Sequence, residues 1–128
     1  MNITKNTFFC YLLVLISLAL CRCGKKADEN KPIGEVKAEA EKMSVEKLRS
    51  IATTYKKAIT AKKDDVEELA FRLKNIPLTK MMSDEAKDLK ADIDALNKSI
   101  SSLHQRFDIY YEKLKEKGVD ISGLEIQG

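Results

Sequence analysis

Residues 44–76 read SVEKLRSIATTYKKAITAKKDDVEELAFRLKNI. Val45, Leu48, Ala52, Tyr55, Ile59, Lys62, Val66, Leu69, Leu73 and Ile76 fall at alternating steps of three and four, and Lys62 alone among them is not apolar. An average step of about 3.5 keeps one stripe turned toward a partner helix, so the stretch predicts a helix with a heptad seam. Ser44 is placed to accept a hydrogen bond from a free amide of the first turn. Met43 and Leu48 stand in the relation of a hydrophobic staple across that cap. Pro77 ends the helix, because it drives Ile76 out of helical geometry.

A second seam follows the loop 77–82. It runs through Met82, Ala86, Leu89, Ile93, Leu96, Ile100, Leu103, Phe107, Tyr110 and Leu114 without a break. Ser83 is its candidate cap, and Asp84, Glu85 and Asp88 favour the positive end of the helix dipole. Gly118 suits the left-handed residue that closes a helix, after Lys113, Lys115 and Lys117. The fold expected is all-α: an antiparallel two-helix coiled-coil hairpin over 44–117, with helices 44–76 and 83–117 and a short tail 118–128. One register sets Val66 opposite Leu96, Tyr55 opposite Phe107 and Ala52 opposite Tyr110.

A lone hairpin has little core. Ile51, Ala58, Ile109 and Tyr111 lie off the seam at one end, and the tail adds Val119, Ile121, Leu124 and Ile126. The tail is expected to fold back over that end, or the surplus surface to make a homo-oligomer. Residues 24–34 (GKKADENKPIG) read as a flexible polar tether, with 35–43 an optional helix of little apolar surface.

The chain has 128 residues, 34% of them charged, 6% aromatic, and a net charge of +3. The charges alternate in sign: Lys56, Lys57, Lys62 and Lys63 are followed at once by Asp64, Asp65, Glu67 and Glu68. Without a basic face or stripe, no nucleic-acid partner is expected.

Before the tether stands a different kind of sequence. Lys5 precedes an apolar run, Phe8–Leu20, and Arg22, Lys25 and Lys26 follow it. The order is that of a secretory signal, and the run is shorter than the roughly 17–25 residues of a spanning helix. Leu18-Ala19-Leu20-Cys21 resembles the lipobox of bacterial lipoproteins, with Leu20 where that family carries a small residue. The resemblance implies a signal peptide over 1–20 and a Cys21 that bears diacylglycerol and an acyl chain such as palmitate. It places 21–43 as the tether of a membrane-bound envelope protein, with the outer membrane favoured because Arg22 is not an inner-membrane retention Asp. Ser17-Leu18-Ala19 also resembles an ordinary signal-peptidase site, which implies a soluble secreted chain, and an uncleaved anchor is the third option. Cys21 and Cys23 lack the Cys-x-x-Cys spacing of a redox site. The coiled coil on a lipid anchor is similar to murein lipoprotein, without the C-terminal Lys used there for wall attachment.

The residues that could carry chemistry are few. His104, the single histidine, sits one turn before Asp108, and a zinc site wants three or four protein ligands. Asp84, Asp88 and Asp92 form an acidic row that reads first as a solvated face near a helix start. Lys62 on the seam snorkels its ammonium to water or fixes register. No phosphate loop or nucleophile elbow is present. The expected protein is therefore not an enzyme and has no cofactor or metal. Phe71, Leu78, Met81 and Met82, grouped near the loop, are the candidate contact for a protein partner. The function expected is an envelope scaffold, spacer or interaction module. The alternative is a soluble periplasmic binding or chaperone-like helical module.

Overall fold

The structure, a computed structural model, describes residues 26–127. Residues 1–25, which hold the signal sequence, Cys21 and Cys23 of the readings above, lie outside the described residues, as does Gly128. The described chain is all-helical, with three α-helices: α1 Ile33–Lys42, α2 Val45–Lys74 and α3 Asp84–Glu116. A 3-10 turn, Leu78–Lys80, sits between α2 and α3.

The helix ends follow local chemistry. Ser44 accepts from the N–H of Lys47 at the start of α2, and Ser83 accepts from the N–H of Ala86 at the start of α3. These caps satisfy amides that the helix leaves without partners. At the far end of α3, Gly118 has φ +66°, and the N–H of Gly118 and Val119 reach the carbonyls of Lys115 and Leu114. That pair of bonds is a Schellman closure, which needs a left-handed residue and so favours Gly.

The long pair α2 and α3 packs together along the seam residues. Tyr55 and Tyr110 face each other with ring centroids 5.6 Å apart. The expected register put Phe107 opposite Tyr55. Tyr110 holds that place, one helical turn further along α3, while Phe107 stacks on Tyr111 of its own helix at 5.5 Å.

The optional helix expected over 35–43 is present as α1, while the described part of the expected tether before it is packed against the helix pair and not free, which corrects that part of the reading. Ile33, Val36, Ala40 and Met43 recur at steps of three and four, and Val36 and Ala40 are fully buried. Their stripe seats α1 in the core formed by Leu48, Ala52, Tyr55 and Ile59 of α2 and Leu103, Phe107, Tyr110 and Leu114 of α3. The short apolar stripe was outweighed in the sequence by the charged residues between its members. Even before α1 the chain is held: Tyr55 bonds the main chain of Asp28, Arg106 donates to the carbonyl of Lys31 at 2.9 Å, and Ser99 donates to Glu29.

The tail folds back as well. Leu124 joins the same core, with Ile121 and Ile126 packed against it. One half of the helix pair is thus sheathed by α1, the N-terminal segment and the tail. In the other half Val66, Leu69, Leu73, Ile93 and Leu96 are only half-buried, and Ala86 and Leu89 are the buried pair near the tip.

Candidate functional site at the helix tip

The connection between α2 and α3 is built from turns. Pro77 cannot continue α2, and its carbonyl accepts from the N–H of Lys80 at 2.8 Å. The carbonyl of Lys80 then accepts from Ser83 at 2.9 Å, which delivers the chain to the α3 cap. This compact turn has no room to bury its larger side chains. Phe71 is 66% exposed, Leu78 91% and Met82 81%. Met81 is half-buried, as is Ile76 behind it. Three of the four candidate contact residues are therefore open to solvent, on the half of the pair that neither α1 nor the tail reaches.

Below the tip, a groove of about 570 Å³ opens between the long helices. Leu69, Ala95 and Leu96 are among its lining, with Asp65, Glu68 and Asp92 beside them. Lys62 borders it and approaches Glu29 at 3.9 Å. The seam lysine thus ends beside an acid of the N-terminal segment, which sequence spacing could not show. Both side chains are about a third exposed, so the pair contributes little to stability.

The remaining candidates are dispersed. His104 is half-buried with its ring edge-on to Phe107, 6.4 Å between centroids. Asp84 and Asp88 are exposed near the start of α3, and Asp92 is exposed at the groove. Among the described residues no group of three or more His, Cys, Asp or Glu side chains gathers to hold a metal ion. No helix of the described residues is long and apolar enough to cross a membrane.

The electrostatics concentrate at the sheathed end. Burial pushes the Tyr110 hydroxyl up to about 12, with the Tyr55 hydroxyl and the Glu39 carboxylate adding to the shift. Burial also raises Tyr55, against a hydrogen bond to Asp28 that lowers it. The Glu39 carboxylate, 2.6 Å from Lys31, raises that ammonium. Two hydrogen bonds from Ser122 hold Asp120 below its ordinary range. These shifts arise from packing and ion pairing, and none sits at the tip.

Sequence reasoning missed two sets of residues. Arg106 is only 7% exposed and ties α3 to the N-terminal segment through Lys31. Arg49, Lys56 and Lys63 each follow a seam position by one residue, and all three reach the tail. Their seven-residue spacing was a signal, since it places three cations in one line on α2. Comparison with protein families, curated proteins and solved structures finds no match to this chain.

Proposed function

We propose that the chain is a non-catalytic, lipid-anchored protein of the bacterial envelope, outer membrane favoured, that presents an apolar helical tip to a protein partner. In this reading α2 and α3 are an antiparallel coiled-coil hairpin. Tyr55 lies against Tyr110 while Leu69, further along α2, shares a groove with Leu96, earlier in α3. Progress up one helix is matched by progress down the other.

The observation that carries the proposal is the exposure of Phe71, Leu78 and Met82 together at one end of the pair. Large apolar side chains left open as a group favour contact surfaces. The N-terminal segment strengthens it. Lys26 borders the same cleft as Tyr55 and Tyr110. Cys21 is five residues earlier, a span of at most about 18 Å. From Tyr55 to the end of α2 the helix rises about 28 Å. An acyl chain on Cys21 therefore leaves the tip standing clear of the lipid, with a lever shorter than a free tether would give.

The test is partition of the chain, expressed in a bacterial envelope, into a detergent phase, together with acyl labelling at Cys21. Recovery in the aqueous phase without label would instead support the soluble periplasmic module. A photo-crosslinker at position 71 then reads the tip. The reading expects a discrete protein adduct that is absent with the crosslinker at the opposite end, at position 42.

A further inference from the structure

Apart from Leu124, with Ile121 and Ile126 beside it, the C-terminal tail is held through its main chain. Arg49 donates to the carbonyls of Asp120 and Ser122, Lys56 to that of Gly123 at 2.8 Å, and Lys63 to that of Gln127 at 2.8 Å. The three cations recur every two helical turns, so they form a line about 21 Å long on α2. Each contact is to a main-chain oxygen, which any polypeptide carries. The one deep anchor is Leu124, 3% exposed, which enters the core beside a β-turn. That turn is closed by the N–H of Leu124 on the carbonyl of Ile121, with Gly123 at φ +81°.

Outside Leu124, Ile121 and Ile126 the strap is lightly held. It has no helix or strand of its own, and its bonds to α2 are exposed. Such segments open locally at the low end of a protein's stability range. Gly118, at φ +66°, joins it to α3 with open space where a side chain would stand.

We infer that the Arg49–Lys56–Lys63 face of α2, with the Leu124 socket, is a peptide-binding slot that the tail occupies in cis. Its ligand is a short apolar segment of another polypeptide, with a leucine-like anchor after a turn and main-chain carbonyls laid toward the three cations. The tail is the resident competitor. An incoming segment binds with an affinity reduced by the fraction of time the tail is out. The slot lies on the sheathed half of the molecule, away from the tip, and needs no lipid anchor.

The test uses the full chain in detergent micelles and a fluorescein-labelled peptide of residues 119–127, VDISGLEIQ. Leu124→Asp ejects the tail from its socket without shortening the chain. The inference expects the Leu124→Asp chain to keep its helical circular dichroism and to bind the peptide at least tenfold more tightly than the unaltered chain. Adding Arg49→Ala and Lys56→Ala to that chain is expected to weaken binding at least fivefold, and a peptide with the same Leu→Asp change is expected not to bind. Equal binding by both chains, or none by a Leu124→Asp chain that keeps its helices, overturns the slot. So does loss of helix on Leu124→Asp, because the tail would then be an integral part of the core. A mass of the unaltered chain that doubles with concentration and returns to one copy on adding the peptide overturns the foreign occupant in favour of a second copy's tail.

Discussion

The hydroxyl of Tyr55 accepts a hydrogen bond from the N–H of Asp28 at 3.2 Å and donates one to the carbonyl of the same residue at 3.0 Å. One side chain in the middle of α2 thereby fixes a main-chain segment 27 residues earlier. Tyr55→Phe keeps the ring against Tyr110 and removes both bonds. The expected cost is about 1 kcal/mol in urea unfolding, since a part-buried amide and carbonyl lose their partner. Amide exchange at 28–31 is expected to rise more than at Val36, which stays packed in α1.

Arg106 makes the second tie. Its Nε donates to the carbonyl of Lys31 at 2.9 Å and its Nη1 to that of Ser102 at 2.7 Å. The buried stem also fills space in the core face of α3. Arg106→Ala is expected to cost about 2–3 kcal/mol. Arg106→Lys is expected to recover less than half of it, because an ammonium cannot reproduce the fork that serves both carbonyls. Denaturant midpoints of the two variants check this.

The tip should separate stability from contact. Phe71→Ser, Leu78→Ser and Met82→Ser remove exposed side chains, so each is expected to change stability by no more than about 0.5 kcal/mol. Leu89→Ala, a few turns away but buried, is expected to cost about 2–5 kcal/mol. Thermal melts give the first comparison. Crosslinking from position 80 gives the second: the three serines together are expected to abolish the partner adduct at unchanged melting temperature.

Alkaline pH should weaken the sheathed end. Tyr110 ionises at about 12 in the folded chain against 10.0 when free. Above pH 10 the unfolded state therefore loses its proton first, and stability falls as pH rises from 10 toward 12. Below pH 10 the contribution is fully present, on the order of 2–3 kcal/mol. Lys31 is raised too, and its contribution is lost in the same direction as pH passes its folded value. Urea midpoints at pH 8, 10 and 11.5 measure the slope. Tyr110→Phe is expected to flatten it, and absorbance at the phenolate band is expected to lose its latest-titrating component.

The long helices were legible because each seam is ten positions long and each start carries a serine cap. Such a repeat is hard to produce except as a buried stripe. The first helix was legible only as an option, because Ile33, Val36, Ala40 and Met43 make only three steps among Glu and Lys. About three turns of apolar stripe become decisive only when a partner surface exists to receive them, and periodicity in one segment does not reveal its partner. The same limit hid Arg106 and the cation line on α2. Their partners are main-chain carbonyls 71 to 75 residues distant for Arg49 and Arg106, and a carbonyl leaves no trace in residue type. The tip was readable for the opposite reason: Phe71, Leu78 and Met82 fit no seam or fall where the seam ends, so nothing in the fold had a place for them.

The central claim is that a lipid on Cys21 holds this helical pair to the envelope, and the N-terminal peptide of the mature chain tests it most directly. The chain would be purified from a bacterial envelope, digested and analysed by mass spectrometry. The account predicts a first residue of Cys21 carrying diacylglycerol and one amide-linked acyl chain, with Arg22 at the other end of the tryptic fragment. An unmodified N-terminus at Leu20, as cleavage after Ala19 would leave, or an intact segment through Phe8–Leu20, would contradict it.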